Sequence, residues 1–421
     1  MSAELPSYEE AASLVAAPAA RVHCVERVER VDLEHAQGRV LARPLVADRD
    51  QPPFARSTRD GFACRAAEAS RHEPLAIAGA SRAGDAPAGP LPPASAWEIM
   101  TGAPVPDGAD AVMMVEHVEI GGGESAKTAR LLTSRTLEAG ENIVLQGAEG
   151  RRGDELLDAG AVVHGGQIAL AAACGSSELD VFARPRVAIL ATGDELVPVE
   201  AEPGPGQIRN SNSPMLAALV AAAGGEPWVL PVAADRAEAL NAAIDRAMDA
   251  DLLLVTGGVS AGKFDLVEPA LERAGAIFHF TGVKIQPGKP TVFGEFRGAG
   301  KNPVQNENGA KHFLGLPGNP VSSAVTFSLF AAPILAALSG KRELGPRFAL
   351  ARLAGEVKTK PGLTRFLPAV CSFAMSEPQV ALVRWQGSGD LGALARSNCF
   401  LVVPEGAERM EPGAMVRILL P

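Results

Sequence analysis

Between Arg186 and Gly340, short apolar runs alternate with longer segments of helical periodicity. Continuous apolar runs of this kind are typical of strands that are buried on both faces. They predict strands over Val187–Ala191, Trp228–Val232, Leu252–Val255, Thr291–Phe296 and His312–Leu316. Because helical segments separate several of these strands, we predict a doubly wound, mainly parallel sheet.

The helices of this segment carry start and stop signals. Pro214 predicts the first turn of a helix that stops at Gly224. Asp235 and Glu238 form a capping-box-like start to the next helix. The last helix is predicted over Val321–Leu338.

The pattern changes on both sides of this segment. Ser7, followed by Glu9 and Glu10, predicts the start of a first helix. An Ala/Gly/Pro-rich stretch over residues 78–94 indicates loops that join the short strands of a β-rich unit. After residue 346 the apolar positions alternate, which is typical of a small β-barrel or sandwich. The strands predicted there are Phe348–Leu353, Phe366–Val370, Val380–Trp385, Cys399–Val403 and Met415–Leu419.

Composition narrows the class of protein. A chain of 421 residues with 47% hydrophobic and 21% charged residues indicates a folded protein of two to four domains. Its formal charge of −10 argues against non-specific nucleic-acid binding. The five cysteines are scattered, and the first residues resemble no signal peptide, so we expect a cytoplasmic protein with reduced thiols. The apolar stretch Ala324–Leu338 is short and contains Pro333, so we expect a core helix and no membrane contact.

Two glycine-rich turns follow predicted strands of the α/β segment. One spans Thr256–Gly262, and the other spans Leu316–Pro320. Ser322 and Ser323 come directly after the second turn, where a helix N-terminus offers unpaired N–H groups to an anion. Two such turns at the carboxyl edge of a sheet predict a ligand that carries phosphate.

Separated motifs give the chain its resemblance to a known family. They are PPFARSTRDGFA at Pro52–Ala63, MTGAPVPDGADAV at Met100–Val112, TGDEL at Thr192–Leu196, TGGVSAGKFD at Thr256–Asp265, QPGKP at Gln286–Pro290, GLPGNPVS at Gly315–Ser322 and QGSGDL at Gln386–Leu391. In this order they resemble the molybdopterin molybdotransferases, that is, the bacterial MoeA type and the gephyrin E-domain. The α/β motifs alone also occur in molybdopterin adenylyltransferases and CinA-like proteins.

The resemblance implies an α/β multidomain fold with four domains. A linking α/β domain takes residues 1–49 and 147–184, and a β-rich domain is inserted in it at 50–146. A MogA-like, doubly wound domain that binds molybdopterin takes residues 185–341, and a small β-barrel takes 342–421. The family also implies a homodimer whose active site is shared between protomers.

The implied activity is the insertion of molybdenum from molybdate into adenylylated molybdopterin. A divalent cation such as Mg²⁺ assists hydrolysis of the adenylate, and the products are molybdenum cofactor and AMP. The family also suggests contacts with a molybdopterin adenylyltransferase and with molybdoenzyme apoproteins. Alternatives are a molybdopterin carrier or scaffold without turnover and a molybdopterin adenylyltransferase. Tungstate is an alternative oxyanion, since it shares the shape and charge of molybdate.

The implied catalytic residues are Asp60, Thr101, Glu195 and Asp265, and the implied metal ligands are Asp60, Glu149, Glu195 and Asp265. Each has a structural alternative. Asp60 with its following glycine is also a simple turn, Thr101 a turn residue, Glu195 an exposed loop acid and Asp265 a helix cap. The acid Asp235 also matches the family, but its capping box already explains it.

The remaining implied residues line the ligand site. They are Thr192, Gly193, Gly257, Gly258, Ser260, Lys289, Pro317, Gly318, Asn319, Pro320, Ser322, Arg365 and Ser388. Lys289, fixed between Gly288 and Pro290, is the expected cation for phosphate or molybdate. A wider basic patch is expected from Lys263, Lys284, Arg209, Arg365 and Arg396.

The sequence departs from the family pattern at one place. Where family members carry a basic run, this chain has Val144-Leu145-Gln146. Arg151 and Arg152 follow shortly after it, and Glu149 stands at the position of the usual aspartate. If the run binds an oxyanion, that function is lost, moved or altered here.

Overall fold

The computed structural model describes residues 4–20, 27–123, 126–258, 266–297, 310–373 and 377–421. Its helices are α1 (Tyr8–Ala19), α2 (Ala66–Ala69), α3 (Gly165–Ala173), α4 (Asn212–Ala223), α5 (Ala237–Ala247), α6 (Val267–Arg273), α7 (Pro320–Thr326), α8 (Ala332–Leu338) and α9 (Leu391–Arg396). Single 3-10 turns cover Leu33–His35 and Val115–His117. A π-turn over Phe327–Ala331 makes α7 and α8 continuous.

The strands follow in chain order. The first half of the chain contributes β1 (Val28–Asp32), β2 (Leu45–Val46), β3 (Arg56–Ser57), β4 (Gly61–Cys64), β5 (Leu75–Ser81), β6 (Ser95–Ile99), β7 (Ala111–Met114), β8 (Val118–Gly123), β9 (Ala126–Leu131), β10 (Ile143–Val144), β11 (Glu155–Leu157), β12 (Glu178–Phe182), β13 (Arg186–Ala191), β14 (Leu196–Val197) and β15 (Ile208–Arg209). The second half contributes β16 (Glu226–Val229), β17 (Leu252–Thr256), β18 (Ala276–Phe280), β19 (Ile285–Gln286), β20 (Val292–Arg297), β21 (Ala310–Leu316), β22 (Phe348–Leu353), β23 (Val357–Lys358), β24 (Thr364–Ser372), β25 (Gln379–Leu382), β26 (Cys399–Val403), β27 (Arg409–Met410) and β28 (Met415–Leu419).

The chain divides into two compact units. The larger unit comprises Met1–Arg43, Ala159–Gly165 and Glu178–Pro421, and the smaller unit comprises Pro44–Asp158 and Gly166–Ser177.

The larger unit contains the predicted doubly wound sheet. Its strand order is β16-β13-β17-β21-β20-β18. The first four of these strands are parallel, whereas β20 and β18 run antiparallel to their neighbours. Alternate residues of each strand pack against helices on opposite faces: Ile189 and Leu314 against α4, α7 and α8, and Leu190 and Leu253 against α5 and α6. Helices on both faces explain why these strands are continuously apolar.

The run from α7 to α8 is the centre of this core. Pro320–Leu338 is long and apolar enough to cross a membrane, but 94% of its most apolar window is buried within the protein. Complete burial of one Leu or Phe side chain contributes about 1.5–3 kcal/mol. The run is therefore a core helix, as the sequence predicted.

A second sheet in the larger unit closes on itself. Its order is β24-β25-β22-β28-β26, and β26 pairs again with β24, which gives a five-stranded barrel with β19 added at one edge. Helix α1 packs between the barrel and the α/β core, since the Tyr8 ring contacts Phe330, Phe348 and Phe366. Ser7 and Glu10 form the capping box that starts this helix.

The smaller unit is built on a mixed sheet of order β7-β4-β6-β5-β9-β8. Two short pairs, β3 with β10 and β2 with β11, complete it. Its core contains Phe62, Met113 and Leu131. The predicted β-rich unit is confirmed, and so is the α/β and β-barrel architecture of the larger unit.

Three local predictions were wrong. The strand expected over Trp228–Val232 lies over Glu226–Val229, so it begins and ends earlier. The strand expected over Val380–Trp385 ends at Leu382. Helix α4, in contrast, has Pro214 in its first turn and Gly224 as its C-cap, as predicted. The capping box at Asp235 is absent, because α5 starts after Arg236 without any side-chain cap. The segment Gly298–Lys311 has the polar, glycine-containing composition of a loop, and its residues 298–309 lie outside the described residues.

Candidate functional site

The predicted turns of the larger unit lie at one edge of its parallel sheet. Strands β13, β17 and β21 end in register, since Ala191 pairs with Thr256 and Thr256 pairs with Leu316. The chain segments that begin at Thr192, Gly257 and Pro317 therefore leave the sheet side by side. Such an edge of an open α/β sheet is where ligands usually bind.

Close backbone approach explains the glycines of the middle turn. Gly257 has φ +91°, and a Cβ there would lie 2.5 Å from the carbonyl oxygen of Thr192. Gly258 has φ +61°, and its Cβ would lie 2.7 Å from a methyl of Val267. Gly318 of the neighbouring turn approaches Gly257 so closely that its Cβ would be 3.6 Å from the Gly257 Cα. The two turns thus form one continuous surface.

Asp235 belongs to this edge and not to a helix cap. Its Oδ1 accepts the Thr192 hydroxyl at 2.5 Å, and its backbone N–H donates to Asp194 Oδ1 at 3.1 Å. Thr192 is 3% exposed, whereas Asp235 is exposed, so the hydrogen bond joins a buried hydroxyl to a carboxylate at the surface. The acid that the capping argument had set aside therefore fixes the first segment of the site.

Glu195 folds back over the backbone of this segment. Gly193 has φ +145°, and a Cβ there would lie 2.5 Å from Glu195 Oε2. Glycine is favoured here because its φ is positive, and the end of the flexible Glu195 side chain occupies the space beside it. The Glu195 residue is exposed, so its carboxylate is available to a ligand at the edge of the sheet.

The Pro317–Pro320 turn is anchored on the barrel side by Ser388. The Asn319 amide donates to Ser388 Oγ at 2.9 Å, and the Val321 N–H donates to the Ser388 carbonyl at 3.0 Å. Asp390 in turn accepts the N–H groups of Ala393 and Gln386, which lowers the pKa of its carboxyl. This network ties the QGSGDL turn to the start of α7.

The anion-binding site predicted at the start of α7 is partly occupied by groups of the protein itself. Ser388 already accepts the Val321 N–H, and Ser322 and Ser323 are 3% and 0% exposed. Ser323 Oγ donates to the Pro317 carbonyl. These serines therefore brace the turn from inside.

Lys289 is the exposed cation of this unit that the sequence singled out. Its neighbour Gly288 has φ +113°, and a Cβ there would lie 2.5 Å from a Thr326 methyl, so the motif is fixed against α7. Arg365 Nε donates to Gln286 Oε1 at 2.9 Å, which joins the barrel to the same motif.

Other members of the expected basic patch already have partners. Lys284 pairs with Glu4 at 2.7 Å, and Arg209 donates to the carbonyls of Val199 and Ala201. Arg396 lies close to Asp390, whose pKa it helps to lower. Ser260, Lys263 and Asp265 lie outside the described residues.

The smaller unit brings Asp60 and Thr101 together. Asp60 Oδ1 accepts both the Thr101 N–H at 2.6 Å and the Thr101 hydroxyl at 2.8 Å. These two hydrogen bonds lower the pKa of the Asp60 carboxyl. Asp60 and Thr101 are both exposed, so a fixed, ionised carboxylate is presented at the surface.

The glycine after Asp60 is required by packing. Gly61 opens β4, and a Cβ there would lie 1.9 Å from the Met113 carbonyl oxygen. The close approach of β7, not a left-handed turn, therefore explains this glycine. It also fixes the backbone directly beside Asp60.

Glu149 forms an ion pair within the smaller unit. Arg56 Nη2 lies 2.9 Å from Glu149 Oε1. In the segment that departs from the family, Val144 pairs with Arg56 across β10 and β3, Leu145 is 64% exposed, and Gln146 donates to Asp50. Arg151 and Arg152 are exposed nearby in the sequence.

The described carboxylates that could bind a divalent cation do not form a cluster. Among the described residues, no group of three or more His, Cys, Asp or Glu side chains is placed to hold a metal ion. Mg²⁺ usually keeps several waters and takes one or two carboxylates together with substrate phosphates. Asp60 and Glu195 fit that partial role, whereas Glu149 is already paired with Arg56.

Sequence reasoning missed Asn212. Its side chain bridges Thr256 and Gly318, in the middle and last of the three segments. The only sequence signal was a polar residue at the predicted start of a helix, which is ordinarily read as a cap.

Comparison with known proteins agrees with this geometry. Three family models match this chain. The model of the MoeA N-terminal region (domain I and II) matches residues 6–175, and that of the probable molybdopterin binding domain matches residues 188–337. The model of the MoeA C-terminal region (domain IV) matches residues 350–420. The molybdopterin molybdenumtransferase of Bacillus subtilis is 35% identical over 401 residues, covering 93% of this chain and 89% of that protein. The enzyme of the same name from Nostoc sp. is 32% identical and covers 99% and 94%. The crystal structure of the molybdopterin biosynthesis moeA protein from Pyrococcus horikoshii OT3 is similar, with a TM-score of 0.78, 29% identity and coverage of 99% and 100%.

Fold and site thus define a multidomain α/β protein whose central sheet is of the molybdopterin-binding type. The similarity extends through all the regions that surround this sheet. The chain belongs to the MoeA family of molybdopterin molybdenumtransferases, which are transferases of molybdenum cofactor biosynthesis.

Proposed function

We propose that this chain inserts molybdenum from molybdate into adenylylated molybdopterin and hydrolyses the adenylate, releasing molybdenum cofactor and AMP. The observation that carries this proposal is the single surface formed by the TGDEL, TGG and LPGNP segments at the edge of the α/β sheet. That surface lies in a chain whose whole length is similar to enzymes named for this transfer.

The residues of the larger unit would bind and orient the substrate. Lys289 supplies a local positive charge for a phosphate or oxyanion, which a protein of net charge −10 needs in order to bind an anion. Glu195 offers acceptor oxygens to the N–H donors of a pterin. The glycines at 193 and 257 let backbone and ligand approach closely.

Asp60 is the proposed catalytic carboxylate of the smaller unit. Its two hydrogen bonds from Thr101 hold the carboxylate ionised and in one orientation. In that state it can orient a water molecule or help bind a divalent cation at a scissile phosphate. A bound Mg²⁺ would neutralise charge on the phosphates, and Asp60 of the smaller unit or Glu195 of the larger unit would each offer it a single carboxylate ligand.

We further propose a cytoplasmic homodimer whose active site takes residues from both protomers. The test is complementation: Asp60→Asn protein and Lys289→Ala protein are each purified, then mixed under conditions that exchange subunits. If one protomer supplies Asp60 and the other supplies Lys289, mixing restores part of the AMP release. Continued inactivity of exchanged dimers, or an active protein with a mass near 43.5 kDa, would rule out a shared site.

A carrier without turnover is the second candidate. The segment Val144–Gln146, where family members carry basic side chains, favours this candidate. In this chain Leu145 is exposed there, and Gln146 donates a hydrogen bond to Asp50. The two candidates differ in AMP release from adenylylated molybdopterin with Mg²⁺, measured with molybdate, with tungstate and with neither. Release that depends on an oxyanion and stops with a chelator supports the transferase and identifies its oxyanion. Tight binding without release supports the carrier.

A further inference from the structure

Asn212 joins three segments that are far apart in the sequence. It is the first residue of α4, and its Nδ2 donates to Thr256 Oγ1 at 2.9 Å and to the Gly318 carbonyl at 2.7 Å. Thr256 is the last residue of β17, and Gly318 lies in the turn between β21 and α7. One amide group therefore spans both glycine-rich turns of the candidate site.

The orientation of the amide follows from its partners. A backbone carbonyl only accepts hydrogen bonds, so the atom that faces Gly318 must be the nitrogen. Both hydrogens of Nδ2 are then used, one on the carbonyl and one on the hydroxyl. No aspartate or serine of similar size can donate two hydrogen bonds in these two directions.

The other end of the same amide is unsatisfied. Asn212 Oδ1 is buried and has no hydrogen-bond partner among the described residues. A buried acceptor without a partner is destabilising, and in a native protein such a group calls for an explanation.

The position of the amide supplies that explanation. Gly257 and Gly318 are in near contact, and the Gly257 N–H donates to the Leu316 carbonyl at 3.3 Å, a long hydrogen bond. On the far side, Asn319 and Val321 hold the last turn to Ser388. The Asn212 amide is the side-chain link on the near side, so it fixes the spacing between the two turns.

We propose that Asn212 is a positioning residue for the substrate: its amide sets the distance between the TGG and LPGNP turns, so that both contact the molybdopterin derivative at once. This inference rests on the proposed function only for the identity of the ligand. Replacement of Asn212 then weakens binding more than it affects chemistry or stability. Loss of the two hydrogen bonds is offset in part by removal of the unpaired oxygen.

The test compares Asn212→Ala with the unmodified chain in three measurements: the Kd for adenylylated molybdopterin, the kcat and KM of AMP release, and thermal unfolding. We expect Kd and KM to rise on the order of tenfold to hundredfold, which corresponds to the loss of about one or two ligand hydrogen bonds. We expect kcat to change by less than about threefold and the melting temperature by only about 2–4 °C. Thr256→Val, which removes one of the two acceptors, should give a smaller rise.

Asn241→Ala is the matched control. Asn241 also has a buried Oδ1 without a hydrogen-bond partner, but it lies within α5, away from the turns. Its variant should bind like the unmodified chain. Unchanged Kd in Asn212→Ala, or an equal loss in Asn241→Ala, would overturn the positioning role. If the unmodified chain itself fails to bind the probe, the proposed function fails instead.

Discussion

Strand β21 carries a buried histidine that should make the α/β core sensitive to acid. His312 is 2% exposed, and neither ring nitrogen has a hydrogen-bond partner among the described residues. Burial lowers the pKa of His312 from 6.5 to about 4. Glu295, opposite it on β20, raises this pKa, and His279 on β18 lowers it. His279 Nε2 lies 3.6 Å from Glu295 Oε2, so this carboxylate also faces a second imidazole.

The direction and size of the pH effect on stability follow from the pKa of His312 in the unfolded and in the folded chain. Because the folded-state pKa lies below the unfolded value, the unfolded chain binds the proton more readily. Stability is therefore complete above about pH 6.5 and falls as the pH drops toward the folded-state pKa. At about 1.4 kcal/mol for each unit of pKa difference, the loss reaches about 3 kcal/mol near pH 4. This is a large fraction of the stability of an ordinary domain.

Hydrogen exchange measured on peptides from β17, β20 and β21 tests this reasoning. After correction for intrinsic rates, protection should fall between about pH 7.5 and about pH 4.5. His312→Phe keeps a ring beside Phe293 but does not titrate, so it should lose less protection over the same range. His35→Gln, which alters an exposed histidine, should behave like the unmodified chain. Equal loss in His312→Phe and the unmodified chain would refute the assignment.

Other predictions concern the site itself. Asp60→Asn keeps an acceptor for Thr101 but removes the charge, so AMP release should fall by about 100-fold or more with an unchanged melting temperature. Normal turnover would exclude Asp60 from the chemistry. Thr101→Val removes the hydroxyl donor and should raise the pKa of Asp60 in an NMR titration, while Thr101→Ser should not. Gly257→Ala places a Cβ 2.5 Å from a carbonyl oxygen and should cost about 1–3 kcal/mol, whereas Gly318→Ala, with its nearest neighbour at 3.6 Å, should cost little in chemical denaturation.

The strands of the α/β core were predictable because periodicity reports burial directly. Phe313–Leu316 and Leu252–Val255 have no polar side chain, and both lie inside strands that are covered by helices on two faces. The edge strand β16 was misplaced because an edge strand is only half buried, as Glu226–Val229 shows, and its pattern is correspondingly weak.

The roles of polar side chains near helix starts were harder to predict from the sequence than the strands. Asp235 and Glu238 match a capping box in sequence, yet Asp235 bonds to Thr192, which is 43 residues away. Asn212 likewise bonds to residues 44 and 106 positions distant. Local sequence cannot distinguish a cap from a long-range tie, because both use the same short polar side chains.

The sequence predicted which glycines lie in structured segments, but not always the physical reason that requires a glycine there. Gly257 has the positive φ that a turn implies, whereas Gly61 is required by the Met113 carbonyl of a neighbouring strand. Such close approach depends on strand pairing, which a sequence pattern does not define. That glycine nevertheless fixes the backbone beside Asp60, and the catalytic role of Asp60 stays a prediction.

The central claim is that this chain couples adenylate hydrolysis to metal insertion. The most direct measurement is a single-turnover reaction of purified protein with adenylylated molybdopterin, Mg²⁺ and molybdate, in which AMP and pterin-bound molybdenum are quantified together. The account predicts that both appear in equal amounts and that AMP release is slow without the oxyanion. AMP release at the same rate without molybdate, or no release at all, would contradict it.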